Sequence, residues 1–174
     1  MKKVIAFLLS FILAMSSVAI AEDMQSLTRI HDYVGVIPEE DMEGLEFSAY
    51  YDMMRYGGDF AAIIFDNYPV YDEEEYAILA EAFWEDQGYG YDDEHSGMLL
   101  MLNLTDPDDP YFFLYLAGKM DEYMTVEQYR RVHEDIQHDL DRGNIIFAIY
   151  SAQAVAAEVF FAAMYVYQTL RLVK

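Results

Sequence analysis

The side chains best able to do chemistry in this chain are carboxylates. Of 174 residues, 32 are Asp or Glu against 10 Lys or Arg, which gives a formal net charge of -22. Four acids stand beside predicted elements: Asp32 before the first helix, Asp66 after the first strand, Asp93 before the second strand and Glu122 after the third. Ligands of α/β sheets gather beyond the carboxyl ends of the strands. Carboxylates converging on one spot repel each other unless a cation lies between them, and hard oxygen donors suit Ca²⁺ or Mg²⁺. Asp32, Asp66, Asp93 and Glu122 are therefore the expected metal ligands, around one sheet edge. The alternative is that they are ordinary solvated loop acids in an acid-rich chain. The run Asp72 to Glu75 is already explained by its place at a helix start, where negative charge meets the positive end of the dipole.

Other chemistries find less support. With Cys 0, disulfides, thiol catalysis and cysteine metal sites are excluded. His133 and His138 bracket an acid as in a zinc-protease helix, but residues five apart on a helix diverge by about 140°, so they do not share a face. His31 and His95 stand beside acids and could join a site, or be exposed. No nucleophile elbow, phosphate-cradling glycine loop or EF-hand spacing occurs. Asn103-Leu104-Thr105 matches a glycosylation sequon yet continues a strand, so it is incidental. The acidic balance argues against nucleic acid, whose phosphates need a basic surface.

These acids need a scaffold, and the composition supplies one. A hydrophobic fraction of 55% is more than a solvated acidic tail carries, and it predicts one folded domain. Pro38 to Tyr56 opens with acids and then places Met42, Leu45, Ala49, Met53 and Tyr56 at helical spacing, ending at Gly57-Gly58. Asp59 to Phe65 is a short apolar run, as a strand covered on both faces would be. Asp72 begins a second helix whose stripe is Tyr76, Leu79, Ala80, Phe83 and Trp84. Ser96 to Leu102 and Tyr111 to Ala117 are strands joined by a short Asp/Pro linker, hence a hairpin within a mixed sheet. Thr125 to Gln128 has capping-box form and starts a third helix ending near Arg142-Gly143. The 16 Tyr and 11 Phe fall mostly on these stripes and strands, so they read as core, the alternative being that exposed ones form a partner surface. The element order predicts an α/β fold with helices covering a central mixed sheet.

Both ends carry membrane-type signals. Lys2-Lys3, the apolar run Val4 to Ser16 and Ala19-Ile20-Ala21 form a signal peptide over 1–21, and cleavage after Ala21 leaves a single domain over 22–174. Removing two lysines and no acid makes the mature chain still more negative, and the domain is expected outside the cytoplasm, secreted or membrane-associated. The alternative is an uncleaved anchor. At the other end 145–172 is expected as a long helix. Ile145 to Tyr167 would extend about 34 Å, enough to cross a bilayer. Glu158 near its centre would cost roughly 2.5 to 3.5 kcal/mol there. The favoured reading is a helix packed on the sheet, with Ile146, Ile149, Ala156, Phe160, Ala163 and Tyr167 inward.

Ile30-His31-Asp32-Tyr33-Val34-Gly35-Val36-Ile37-Pro38-Glu39-Glu40 resembles the opening of TPM domains. The likeness continues through the Phe60 to Phe65 strand, Tyr76-Ala77, Gly88-Tyr89-Gly90, Ser96 to Leu100, Gly118 to Glu122 and Arg142-Gly143-Asn144, in order, over about Ile30 to Phe161. Gln87 stands where the family commonly has Trp, Ser96 replaces its Asn and Asn144 its Asp. The resemblance implies a three-layer α/β/α sandwich, export behind a signal peptide and frequent membrane association. Members of the family have been linked to metal binding, to acid phosphatase activity in the thylakoid lumen, to photosystem repair and to modulation of membrane receptors. Asp32 and Glu122 are the residues that match its pattern.

Three functions compete at this point. The first is a divalent-cation-binding accessory module beside membrane or envelope proteins. The second is a metal-dependent acid phosphatase, in which the ion would polarise phosphate and activate water. The third is a structural interaction module with no site.

Overall fold

The computed structural model describes residues 28–67 and 72–172. The predicted signal peptide over 1–21 lies outside them, as does the side chain of Tyr167. Four strands, β1 (Ile30–Asp32), β2 (Asp59–Phe65), β3 (Gly97–Asn103) and β4 (Tyr111–Ala117), form one sheet in the order β1-β2-β3-β4. β1, β2 and β3 run parallel, and β4 returns antiparallel to β3 with Gly97 opposite Ala117 and Asn103 opposite Tyr111. Among the described residues, five helices accompany them: α1 (Glu39–Tyr56), α2 (Glu73–Gln87), α3 (Lys119–Tyr123), α4 (Val126–Leu140) and α5 (Ile145–Leu172).

The period-two geometry of strands divides the core in two. Phe60, Ala62, Ile64, Met98, Leu100, Leu102, Phe112 and Leu114 face one side, where α1, α4 and α5 bury Leu45, Ala49, Val132, Ile136, Ile149, Ala152, Val155 and Ala156. Ala61, Ile63, Leu99 and Met101 face the other, where α2 supplies Tyr76, Ala80 and Trp84 and the turn after it Tyr89. The molecule is thus a three-layer sandwich on a mixed sheet, as expected. Two elements lacked a signal in the sequence: β1 is three residues long and α3 a single turn, too short for periodicity to show.

Helix ends follow local chemistry. Asp72 caps α2 by accepting from the Glu75 amide, and Thr125 with Gln128 completes a reciprocal capping box on α4. Gly57 and Gly88 close α1 and α2 in the left-handed conformation. Close packing explains Gly97, where a Cβ would come within 2.4 Å of the Trp84 ring and 2.5 Å of the Asp59 carbonyl oxygen.

The helix α5 packs on the sheet. Ile149, Ala152, Ala156, Val159 and Phe160 are buried, while Glu158 lies on the outer face and pairs with Arg131 of α4 at 2.6 Å. The acid that looked costly in the middle of an apolar stretch therefore sits where water and an arginine meet it. By length and composition alone, Ile145–Ala163 is also long and apolar enough to cross a membrane, a test that a buried core helix passes as well.

Candidate functional site

The topology defines where a ligand would sit. From the carboxyl end of β1 the chain passes to α1 on one face, and from the neighbouring end of β2 it passes to α2 on the other. Two parallel crossovers that advance in the same direction but lie on opposite faces have opposite hands, so one of them has the rare left hand. The divergence also opens a crevice between the ends of β1 and β2, the kind of switch point at which α/β sheets hold ligands.

A cleft of about 620 Å³ runs from that point along α2, lined by Tyr33, Ile63, Phe65, Asp66, Leu79, Ala82, Phe83, Asp86 and Met101. Its surface is mainly aromatic and aliphatic, with carboxylates from Asp66 and Asp86. Leu79 and Phe83, read from the sequence as part of α2's buried stripe, are only half-buried and form its wall.

The sheet register separates the four predicted ligands and corrects the expectation of one shared edge. Asp32 pairs in register with Ile64 and Asp66 follows Phe65, so both stand at the carboxyl end of the parallel strands. Asp93 precedes Gly97, and Glu122 follows Ala117, which is opposite Gly97; both stand at the other end. Seven-residue strands hold the two pairs about 20 Å apart, beyond the reach of one ion.

Their local roles differ too. The Asp32 Oδ1 accepts from the amides of Val34 at 3.1 Å and Gly35 at 2.8 Å, and Oδ2 accepts from Ile37 at 2.7 Å. That carboxylate folds the β1–α1 loop, and it has little acceptor capacity left. Asp66 is exposed and accepts from the Asn67 side chain at 2.8 Å. Asp93 is an exposed turn residue. Glu122 lines a separate groove with Gln128, Arg131 and Glu158. Among the described residues, no three His, Asp or Glu side chains come together as a metal would need.

The amino-terminal edge of the sheet is occupied by structural polar contacts that spacing could not reveal. Arg29 and Asp59 form a buried ion pair at 2.8 Å, and the Asp59 carboxylate also accepts from the amides of Phe60 at 3.0 Å and Gly90 at 3.2 Å. Asp92 receives Lys119 at 2.8 Å and the Ser96 amide at 3.0 Å. Burial pushes the Asp92 carboxyl up, but Lys119 and Ser96 more than offset this and hold it below its ordinary value.

The two histidines beside acids are likewise held by local contacts. His31 lies on β1 with Nε2 at 2.6 Å from the Tyr89 hydroxyl, which itself donates to the Thr28 carbonyl. Its ring meets Phe83 edge-on at 5.2 Å, so it props the wall of the cleft. Burial lowers its pKa, against opposing contributions from the Thr28 carbonyl and Glu46. The same burial raises the Tyr89 phenol, helped by the charges of Asp59 and Glu46. His95 sits in a turn with positive φ and contacts the Tyr89 carbonyl at 3.2 Å through Nδ1.

The protein is thus an α/β domain with a four-stranded mixed sheet flanked by helices, whose cleft opens beside its β1–β2 switch point. Solved structures share this fold. The N-terminal domain of a protein from P. gingivalis matches with a TM-score of 0.62 and 14% identity, over 79% of this chain and 85% of that one. The BA42 protein of the psychrophilic bacterium Bizionia argentinensis matches at 0.59 and 12%, over 74% and 83%. The N-terminal domain of the cg2496 protein from Corynebacterium glutamicum matches at 0.54 and 14%, over 79% and 80%. At such identities the likeness is one of fold. No family model and no curated protein matches the sequence.

Proposed function

We propose that this chain is an exported, TPM-type accessory domain that acts by binding, with the switch-point cleft holding a positively charged, partly apolar group of a membrane or envelope protein. The observation that carries this reading is the cleft itself. Aromatic and aliphatic walls reward burial of an apolar moiety, and Asp66 with Asp86 supplies the charge that an ammonium or guanidinium seeks. The ordered TPM-like motifs and the shared sandwich support the family assignment, and the signal segment supports export.

The divalent-ion and phosphatase readings are weaker. A hard divalent ion wants six or more oxygens, and here the Asp32 oxygens face backbone amides while Asp93 and Glu122 lie at the far end. A phosphate entering the cleft would meet the carboxylates of Asp66 and Asp86, and its described lining includes no Lys, Arg or His to receive it.

The test is an NMR titration with phenethylammonium, which joins a ring to an ammonium. Shifts at Tyr33, Phe65 and Phe83 that vanish in Asp66→Asn/Asp86→Asn support the reading, and their absence from the unaltered protein overturns it. A thermal midpoint that rises with Ca²⁺ or Mg²⁺ would restore the ion instead.

A further inference from the structure

The two edges of the sheet are treated differently. β1 is three residues long, and the Glu46 carboxylate on α1 takes up the backbone donors where it begins, accepting from Ile30 at 2.9 Å and from Arg29, just before the strand, at 2.9 Å. A short strand whose donors are capped by an acid offers little to an incoming chain. β4 at the other edge is seven residues long and reads Tyr-Phe-Phe-Leu-Tyr-Leu-Ala, without a charge, proline or glycine. Its inner backbone groups pair with β3, and the outer row makes no hydrogen bond to any described residue. Such an edge is a template for strand addition, the mode in which main-chain bonds give affinity and alternate side chains give specificity.

The surroundings say what kind of strand fits. On the α2 side, Tyr111 and Tyr115 are half-buried, with Glu73 near the first and Glu81 and Glu85 near the second. On the other side, the His133 ring of α4 lies 4.6 Å from that of Phe112. The rim is therefore apolar next to the backbone and acidic over α2. A second copy added antiparallel through β4 would set the acids of one α2 beside those of another, in a chain already at -22. An apolar strand bearing basic side chains toward α2 would meet complementary charge instead.

We propose that the open edge of β4 is a strand-acceptor site for an extended segment of another protein, apolar and carrying Lys or Arg at the alternate positions that face α2. This goes beyond the cleft reading and is independent of it, since β4 stands at the opposite edge of the sheet from β1.

The experiment is amide hydrogen exchange by NMR on the chain alone and with two short capped peptides, one alternating valine with lysine and one alternating valine with glutamate. The lysine peptide is expected to slow exchange of the outer β4 amides by about tenfold or more at saturation, while the glutamate peptide leaves them unchanged. Glu81→Lys/Glu85→Lys, which alters only exposed helix positions, is expected to reverse the preference. Slowing by neither peptide overturns the proposal, as does equal slowing by both in both proteins. Outer β4 amides already protected in the free chain would overturn it too: with a doubled mass they assign the edge to a second copy, and at monomer mass to another segment of this chain.

Discussion

Arg29 and Asp59 are joined by a 2.8 Å ion pair in which the side chains are 1% and 0% exposed, at the point where β1 and β2 begin. The carboxylate that neutralises Arg29 also holds the amides of Phe60 and Gly90, so one residue ties β1, β2 and the turn after α2 together. Removing one partner strands a buried charge, which costs about 3 to 5 kcal/mol. Asp59→Ala is expected to lower the urea midpoint by a corresponding amount, and Arg29→Met combined with Asp59→Asn to recover part of the loss. A double variant no better than the single one would show that the two side chains are not coupled.

Gln153 of α5 is 2% exposed, and among the described residues its amide completes no well-formed hydrogen bond, its one polar neighbour being the half-buried Asp52 carboxylate of α1, whose charge it favours. A buried polar group left unsatisfied costs about 1 to 3 kcal/mol, whereas Met has similar length and no such demand. Compared within an Asp52→Ala background, where no carboxylate engages the amide, Gln153→Met should therefore raise the thermal midpoint, by about 1 kcal/mol in stability. A lower midpoint would mean that the amide is doing more than filling space.

Asp32 was expected to bind metal and is found folding a loop. Asp32→Ala removes the acceptor of three backbone amides and is expected to cost about 1.5 to 3 kcal/mol, with Asp32→Asn milder because one oxygen remains. The loss should be the same in chelator and in Ca²⁺ or Mg²⁺. A loss that appears only with metal present would make Asp32 a ligand after all.

His31 gives a pH dependence whose sign is fixed by its environment. Its folded pKa is lowered from 6.5 by burial, so below that value the unfolded chain binds a proton that the folded one resists. Stability falls as pH drops through about 6.5 and levels off below the folded pKa, where both states are protonated. Urea unfolding followed between about pH 7.5 and pH 5 should show this slope, and His31→Gln should flatten it. A slope unchanged in the variant would place its origin elsewhere.

Much of the fold was legible because it rests on local rules. The Pro38 to Tyr56 helix, the capping box at Thr125 and the double-sided burial of Ala61 to Ile64 follow from caps and periodicity that neighbouring residues supply. The hairpin Gly97 to Ala117 was equally visible, because a short linker forces antiparallel pairing. β1 was not, since three residues carry no period and its identity as a strand depends on the partner offered by β2.

The sequence by itself determined the alternation of elements, the two apolar faces of each inner strand and the abundance of carboxylates. Only the tertiary structure decided which carboxylates are neighbours. Whether Asp66 shares an end with Asp32 or with Glu122 depends on strand direction and register, which are set by pairings between residues far apart in the chain. The same long-range packing turned Glu158 toward Arg131, sealed Asp59 against Arg29, and placed α1 and α2 on opposite faces of the sheet. Burial and register are properties of the assembled layers, so they exist only once the sheet has formed.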